Sequence, residues 1–334
     1  MGWGPFVESP VRLQDRAAFY IPDYFRDNPN PWKHPDFVEE ITFLELLRRL
    51  WGDSGQPAAP QIEWQAPSHK SYTTLFDSAQ TEIEAGRFHK IVPVIFERGH
   101  IHSHLSDFLR HSLHSIEAGR SGLRRYGYVR GDRGFLGLSP ELLFSRGVRG
   151  DVETVALAGT RPLDRAEELL TDPKEQREHG LVVLDIGERL KSWGRVEVGV
   201  TQLARFPRIA HLRTEIRLTP EAHSKDDFLR LVESLHPTAA LGAWPRNVWG
   251  WNWLKWADRE TDRQGFGGPF GFEKPSGEAL CVVAIRQIRW NQAELLIGSG
   301  SGILRESEIE SEWQELKNKR RQVKGLFGLV GEAN

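Results

Sequence analysis

Apolar residues at helical spacing predict an amphipathic helix over residues 37–51. Asp172 and Pro173 form a helix-start signal for a long segment that continues to residue 193. A glycine-rich turn at 298–302 leads directly into a last helix, which carries acids on one face. The helices predicted before this last one span 37–51, 71–87, 105–118 and 172–193.

Short runs of β-branched and apolar residues predict strands between these helices. Two such runs flank Asn291 and predict a hairpin. Because the strand runs look antiparallel and are interrupted by helices, we expect an α+β fold with layered sheets and not a regular βαβ series. The predicted strands span 89–97, 125–146 with a turn at Gly131, 152–160, 196–199, 209–218, 278–290 and 293–302.

Two further segments lack a clear period. Residues 1–35 are rich in proline, aspartate and aromatic residues and predict an irregular arm, and residues 52–68 predict a linker. Five of the twelve tryptophans lie in residues 244–256. Tryptophan at this density indicates packing or an interface, with stacking on a ligand as the alternative.

Composition narrows the class of protein. The net charge of −2 over 334 residues indicates neither a nucleic-acid partner nor an anionic membrane surface. Mean hydropathy is −0.47, and no apolar run reaches the roughly eighteen residues that a membrane helix needs. The first residues do not resemble a signal peptide. The lone Cys281 excludes an internal disulfide and a multi-cysteine metal site. We therefore expect a cytoplasmic protein.

Acids cluster on two of the predicted helices. The last helix places four residues on one face, at spacings of four, three and four: Glu308, Glu312, Glu315 and Lys319. Like charges at these spacings repel each other. Glu175 and Glu178 share a face of the helix over 172–193. If the two faces met, their oxygens would suit Mg²⁺, whose charge would offset the repulsion. Two solvated helix faces are the alternative that spacing leaves open.

Two ionisable residues lie among apolar neighbours. Lys90, in FHKIV, would lie either at an exposed sheet edge or in a buried site, where loss of hydration favours a neutral amine that can act as a base. Glu141, in LSPELLF, would have a raised pKa, which suits a general acid. The glycine-dense segments 265–271 and 298–302 match no nucleotide motif. They allow either an anion contact through backbone N–H groups or a tight turn.

Nine segments, in order along the chain, resemble the chorismate-utilising enzymes, a family that includes isochorismate, salicylate, anthranilate and aminodeoxychorismate synthases. These segments are FHKIV (88–92), GLSPELLF (137–144), ALAGTRP (156–162), DPKEQREHGLVV (172–183), HL (211–212), LHPTAALGAWPR (235–246), ETDRQGFGGPFG (260–271), VVAIRQ (282–287) and GSGSGILRESEIESEWQELKNK (298–319). The resemblance implies a large α/β layered fold similar to anthranilate synthase component I, with two antiparallel-rich sheets and helices around a central cleft. It also implies three regions: an arm, helix and linker over 1–69, a chorismate-binding catalytic domain over 70–328 and a tail over 329–334.

The resemblance further implies a site for Mg²⁺ and for the chorismate dianion. Glu178 and Glu312 resemble the metal ligands, with Glu175 and Glu315 as secondary acids. The metal would hold one substrate carboxylate, and a guanidinium fork with backbone amides would hold the other. The substrate-binding residues implied in this way are Gly159, Thr160, His211, Ala240, Arg286, Gly300, Ser301, Gly302 and Lys319.

Two positions favour isochorismate synthase among the members of the family. Lys90 matches the lysine that activates water, whereas anthranilate synthases have glutamine there. Aminodeoxychorismate synthases carry a nucleophilic lysine where this chain has Ala158, and salicylate synthases usually have threonine at the position of Ala240. The implied reaction is attack of water on C2 of chorismate with loss of the C4 hydroxyl, with Lys90 as base and Glu141 as acid.

Two alternatives remain open on the sequence. One is a salicylate synthase, which also eliminates pyruvate. The other is a non-catalytic chorismate-fold binding protein, for which Ile95 is relevant because it replaces an arginine that the family often has. Since water is the nucleophile, we expect no glutaminase subunit, and a monomer or weak homodimer. Enzymes of this kind supply menaquinone or siderophore biosynthesis.

Overall fold

The computed structural model describes residues 1–53, 57–117, 122–207, 209–221, 227–259, 261 and 263–329, and the structural statements below concern these residues. Its helices are α1 (Phe43–Trp51), α2 (His69–Glu84), α3 (Leu105–Glu117), α4 (Pro173–Leu190), α5 (Asp227–Leu235), α6 (Val248–Asp258) and α7 (Ile309–Leu326), with a 3-10 segment at Leu163–Leu170. The predicted tail over 329–334 lies outside the described residues beyond Leu329, as does residue 118 of the third predicted helix.

The strands pair in antiparallel fashion. In chain order they are β1 (Gly2–Trp3), β2 (Val7–Ser9), β3 (Ala18–Tyr20), β4 (Trp32–His34), β5 (Phe37–Val38), β6 (Ile62–Gln65), β7 (Lys90–Ile91), β8 (Val94–Ile101), β9 (Arg124–Arg130), β10 (Arg133–Ser139), β11 (Leu142–Arg146), β12 (Val152–Pro162), β13 (Gly194–Val198), β14 (Gln202–Phe206), β15 (Ile209–Pro220), β16 (Ala243–Trp244), β17 (Pro269–Glu273), β18 (Ala279–Val283), β19 (Gln287–Asn291) and β20 (Glu294–Gly300).

Two large sheets carry the fold. The ten-stranded sheet has the order β13-β15-β12-β11-β18-β17-β3-β4-β2, with β14 also paired to β15. Helices α4 and α5 pack on it, and α4 contributes Val182, Ile186 and Leu190 to the core. These residues are four apart, so they form one apolar stripe of the helix. The arrangement confirms the α+β fold expected from the sequence.

The six-stranded sheet has the order β6-β8-β20-β19-β10-β9. Helices α1, α3 and α7 cover it, and their apolar residues meet the buried Trp290 of β19 in a second core. The hairpin predicted around Asn291 is confirmed as β19 and β20. No helix in the described ranges has the length and apolar character that crossing a membrane requires.

The chain crosses between the two sheets at two adjacent points. The predicted strand over 278–290 was wrong as a single element, because β18 lies in the large sheet and β19 in the small one. The segment over 125–146 divides in the same way between β10 and β11. Backbone hydrogen bonds join the two crossings, from Leu138 N–H to the Arg286 carbonyl at 3.1 Å and from Val283 N–H to the Glu141 carbonyl at 3.1 Å.

Four other predicted elements differ from the structure. The linker predicted over 52–68 contains β6, an edge strand of the small sheet, and its residues 54–56 lie outside the described residues. The strand over 89–97 is interrupted at Pro93, which has no N–H to donate, and its two parts pair with different partners. The arm over 1–35 is not irregular throughout, because it contains β1 to β4 and three of these strands extend the large sheet. The first helix begins at Phe43, and Thr42 caps it by accepting a hydrogen bond from Glu45 N–H.

Candidate active site

A cavity opens between the two sheets, beside the point where the chain crosses from one to the other. The empty volume between its lining atoms, including the mouth, is about 600 Å³. Most of the residues predicted from the sequence line it: Glu141, Gly159, Thr160, Glu178, His211, Ala240, Arg286, Gly300, Gly302 and Lys319. Glu175, Glu312 and Glu315 line an adjoining groove that shares Thr160 with the cavity.

Glu141 lies at one of the two crossings and is buried. Burial raises the pKa of its carboxyl to about 7, although Thr238 opposes the shift by donating a hydrogen bond to Oε1 at 3.2 Å. Ser139 holds the backbone at this point, because its hydroxyl accepts from Glu141 N–H at 3.1 Å. A carboxyl with this pKa is partly protonated near neutral pH, and its protonated form can donate to a leaving group.

Arg286 lies at the other crossing, with a positive φ of 53°. Its guanidinium is buried, and its Nη2 lies at hydrogen-bond distance, 3.3 Å, from Nε2 of His211. His211 Nδ1 lies 2.9 Å from the Gly159 carbonyl, so Nδ1 carries the proton and Nε2 accepts. Burial and the nearby Arg286 charge lower the pKa of His211 to about 3, so the imidazole is neutral. A buried guanidinium that lines a cavity is suited to an anionic ligand.

Lys319 brings a second cation to the same end of the cavity. It lies on α7, where it donates to the Gly300 carbonyl at 2.7 Å and pairs with Glu315 at 2.6 Å. The structure does not bring the Ser301 side chain into this cavity lining, because its hydroxyl lies 3.0 Å from the Tyr72 hydroxyl in a buried contact. Any contact of Ser301 with a ligand is therefore limited to its backbone.

Lys90 is fully buried directly behind the cavity lining. Its Nζ lies 3.0 Å from Oε1 of Glu178. Both side chains lie against Gly302, where a Cβ atom would be 2.3 Å from Glu178 Oε1 and 2.5 Å from Lys90 Cε. Burial alone would raise the pKa of Glu178, but the charges of Lys90 and Lys174 outweigh it and lower that pKa. The lysine and the carboxylate therefore form one buried pair at the cavity wall.

Helix α4 presents its acids inward because of its cap and its period. Asp172 accepts hydrogen bonds from Lys174 N–H at 2.9 Å and Glu175 N–H at 3.2 Å, which fixes the first turn. Glu175 is fully buried and accepts from Thr160 N–H at 2.9 Å and from Arg161 at 2.7 Å. Glu175 thereby holds the backbone that carries Gly159 and Thr160 at the cavity.

The acids of α7 face those of α4, as the sequence allowed. Glu312 is buried, its Oε1 accepts from the Ser307 hydroxyl at 2.8 Å, and its Oε2 has no hydrogen-bond partner among the described residues. Burial and the charge of Glu315 raise the pKa of Glu312. Glu308, by contrast, is the exposed N-cap position of α7 and does not join this cluster.

Lys174 lies among these acids, and reasoning from the sequence missed it. Its Nζ is 2.9 Å from Glu312 Oε1, 3.4 Å from Glu175 Oε1 and 3.8 Å from Glu178 Oε2. Burial opposes its charge, but Glu178 and Glu312 outweigh that effect and raise the pKa of Lys174. The adjacent Lys174 and Glu175 in DPKEQREH were the available signal for an internal ion pair. Spacing alone did not distinguish that arrangement from a solvated first turn.

The carboxylates between α4 and α7 match the ligand chemistry of a hard divalent cation. They supply buried oxygens, and Oε2 of Glu312 has no hydrogen-bond partner in the part of the chain that the structure describes. Within the described ranges, no three acidic, histidine or cysteine side chains are already arranged as a metal-binding group. The acids are instead arranged around the ammonium of Lys174, so a metal would have to replace that charge.

Comparison with known proteins decides the family. A family model described as chorismate binding enzyme matches residues 39–327, which is most of the chain. This chain belongs to the chorismate-binding enzyme family. The chorismate-utilising family to which the sequence motifs pointed is thus confirmed.

Two curated relatives within the family span most of this chain. The isochorismate synthase MenF of Haemophilus influenzae is 28% identical over 344 residues, which cover 96% of this chain and 77% of the relative. The isochorismate synthase MenF of Escherichia coli is 29% identical over 306 residues, which cover 88% of this chain and 68% of the relative.

Solved structures establish the fold. The menaquinone-specific isochorismate synthase MenF from Escherichia coli superposes with a TM-score of 0.77 at 24% identity, covering 94% of this chain and 79% of that chain. Anthranilate synthase component I from Streptococcus pneumoniae superposes with a TM-score of 0.71 at 17% identity, covering 96% of this chain and 82% of that chain. The expected likeness to anthranilate synthase component I is therefore confirmed.

Proposed function

We propose that this protein is an isochorismate synthase, which converts chorismate into isochorismate. The observation that carries the proposal is a buried lysine and a buried acid at one cavity: Glu141 lines it with a pKa raised to about 7, and Lys90 lies directly behind its lining, against Gly302. Two relatives that cover most of this chain are named isochorismate synthases, which supports the same conclusion.

The charges around the cavity suit a substrate with two carboxylates. Arg286 and Lys319 lie at one end and would bind one carboxylate through the guanidinium and the ammonium. His211, as a neutral acceptor, orients the Arg286 fork without adding charge. Glu178 and Glu312 would hold Mg²⁺, which supplies positive charge for the second carboxylate when it is bound.

The reaction moves two protons and one hydroxyl. Lys90 must first give up the charge that it carries in its pair with Glu178. As the free amine it then takes a proton from the water whose oxygen bonds to C2 of the ring. The ring double bonds shift, the C4–O bond breaks, and Glu141 gives its proton to the departing hydroxyl, which leaves as water. One water enters and one leaves, so product and substrate are isomers. The enzyme is reset when Lys90 loses the extra proton and Glu141 regains one.

Water as the nucleophile has consequences for partners and for the product. No ammonia is needed, so we propose that the enzyme acts without a glutaminase subunit, as a monomer or weak homodimer. Ala240 lies at the cavity wall as a small apolar side chain. It offers no hydroxyl to assist a further elimination, which supports release of isochorismate over salicylate.

The test is incubation of the purified protein with chorismate and Mg²⁺, with the products separated by chromatography. We expect isochorismate, and we expect Lys90→Met and Glu141→Gln each to lower kcat by about 10² to 10⁴. Thermal melting of both variants checks that they are folded. Salicylate together with pyruvate would move the protein to the salicylate synthases. No turnover, with chorismate still bound, would favour a non-catalytic binding protein.

A further inference from the structure

Lys174 is the cation that currently balances the acids between α4 and α7. Its ammonium contacts Glu312 and Glu175 and lies within ion-pair distance of Glu178, at 2.9, 3.4 and 3.8 Å respectively. The residue belongs to the first turn of α4, directly after Pro173. It contacts acids on both helices, so it joins the two elements that would supply a metal site.

The side chain of Lys174 is anchored at its backbone but not enclosed. Its backbone N–H is fixed by Asp172, whereas the side chain retains 21% of its exposure and lines the groove beside the cavity. That groove also contains Glu306, Glu308 and Glu310, which are exposed. A four-carbon stem can therefore turn from the buried acids toward carboxylates in contact with solvent.

We propose that Lys174 acts as an internal counter-cation that holds the acidic cluster in the metal-free protein and is displaced when a divalent cation binds. This inference rests on the proposed function, because it concerns the same Mg²⁺ site. It assigns to Lys174 a positioning role that sets metal affinity, separate from the residues that touch the reacting atoms.

Charge balance supports the displacement. An ammonium and a dication cannot both lie within a few ångströms of the same carboxylates without strong repulsion. Oε2 of Glu312, which accepts no hydrogen bond from any described residue, shows that one ammonium does not use all the acceptor oxygens present. In the described part of the chain the acids do not already form a metal-binding group, which is the arrangement expected while Lys174 lies among them.

The experiment measures Mn²⁺ binding by electron paramagnetic resonance, without chorismate, for the wild-type protein and three variants. We expect Lys174→Met to bind Mn²⁺ at least about tenfold more tightly, because the competing charge is gone. We expect Lys174→Arg to stay within about threefold of wild type, since it keeps the charge. The control is Lys191→Met, the same change at the exposed end of α4, which should stay within about twofold.

Thermal melting in EDTA provides a second readout. Without Lys174 the buried acids repel each other, so Lys174→Met should melt below wild type in EDTA and gain more from added Mg²⁺. Mn²⁺ affinity that is unchanged or weaker in Lys174→Met would overturn the proposal. Equal tightening in Lys174→Arg would also overturn it, because charge would then not be the cause.

These readouts are independent of turnover. If Lys174→Met tightens Mn²⁺ binding while the wild-type protein makes no isochorismate, the counter-cation role stands and the proposed function fails. If wild-type protein makes isochorismate but no variant changes Mn²⁺ affinity, the proposed function stands and the role of Lys174 fails.

Discussion

Burial decides which charge each ionisable side chain of the cavity carries. His211 is neutral near pH 7, since burial lowers its pKa to about 3, whereas Glu141, whose pKa burial raises to about 7, is protonated in about half of the molecules at that pH. Glu178 stays ionised despite burial, because Lys90 and Lys174 stabilise its charge. The site therefore combines a proton donor, a neutral hydrogen-bonding ring and a fixed carboxylate within one small volume.

The pKa of Glu141 predicts how activity depends on pH. A general acid must be protonated, so kcat/KM should fall as pH rises through about 7, the pKa to which burial raises this carboxyl. An ordinary exposed glutamate would already be ionised at that pH. Steady-state kinetics with chorismate from pH 6 to about 8.5 would measure this limb. Glu141→Gln should have low activity that does not fall with pH in this range. If the fall of kcat/KM persisted in that variant, the titration would belong to another group.

Sequence neighbours were the only guide to burial, and they indicated the role of Glu141 but not that of Lys174. Apolar neighbours indicated burial of Glu141, and burial was the dominant cause of its shifted pKa. Lys174 and Glu175 adjoin at a helix start, which is also the pattern of an exposed first turn. Lys174 belongs to a buried cluster only because Glu312, on a helix distant in sequence, places its Oε1 2.9 Å from Lys174 Nζ.

The start of α4 was more predictable than the places where strands end, whereas the helices α5 and α6 were not predicted. The Asp172–Pro173 signal correctly predicted the start of α4. The break between β18 and β19 could not be predicted, because the run over 279–288 has no glycine or proline. It arises from tertiary contacts, since Ala284 exchanges backbone hydrogen bonds with Gly267 and Gly268 at 2.7 and 2.8 Å instead of continuing a ladder.

The loop between β20 and α7 approaches α4 so closely that it requires Gly302. A Cβ atom there would lie 2.3 Å from Glu178 Oε1 and 2.5 Å from Lys90 Cε. We expect Gly302→Ala to push these two side chains apart and to lower kcat by about 10²-fold, since small displacements of positioned groups cost that much. The cost in stability should be only about 1–3 kcal/mol. Kinetics and urea denaturation would measure the two effects.

Gly180 on α4 provides the matched control. It is an exposed helical glycine, and a Cβ atom there would meet nothing within 4 Å. Gly180→Ala should leave kcat unchanged and stabilise the protein by about 0.5–1 kcal/mol. A similar loss of activity in both variants would show that the effect of Gly302→Ala is general and not due to crowding at Lys90.

The cavity belongs to both sheets at once. Glu141 and Arg286 lie at the two crossings, whereas Gly300 ends a strand of the small sheet and Gly159 lies in a strand of the large one. The motifs in the sequence identified these residues as members of one site. They did not predict which strands and crossings bring the residues together. That geometry depends on antiparallel pairing between segments far apart in sequence, which no local pattern encodes.

A ligand that touches both sheets should stabilise the whole molecule, and Arg286 should carry much of that effect. The test is thermal melting of Glu141→Gln, a variant chosen because it slows turnover, with Mg²⁺ and chorismate added. At a chorismate concentration of about 100 times the Kd for chorismate, binding adds about 2.7 kcal/mol to the free energy of unfolding and raises Tm by several degrees. Adding Arg286→Ala removes the buried guanidinium, and the shift should fall below about 1 °C at the same chorismate concentration. Adding Arg133→Ala instead, whose side chain is 71% exposed on β10, should leave the shift intact. If the Arg286→Ala double variant were stabilised as strongly as the Glu141→Gln parent, the second carboxylate of chorismate would have to bind elsewhere in the cavity.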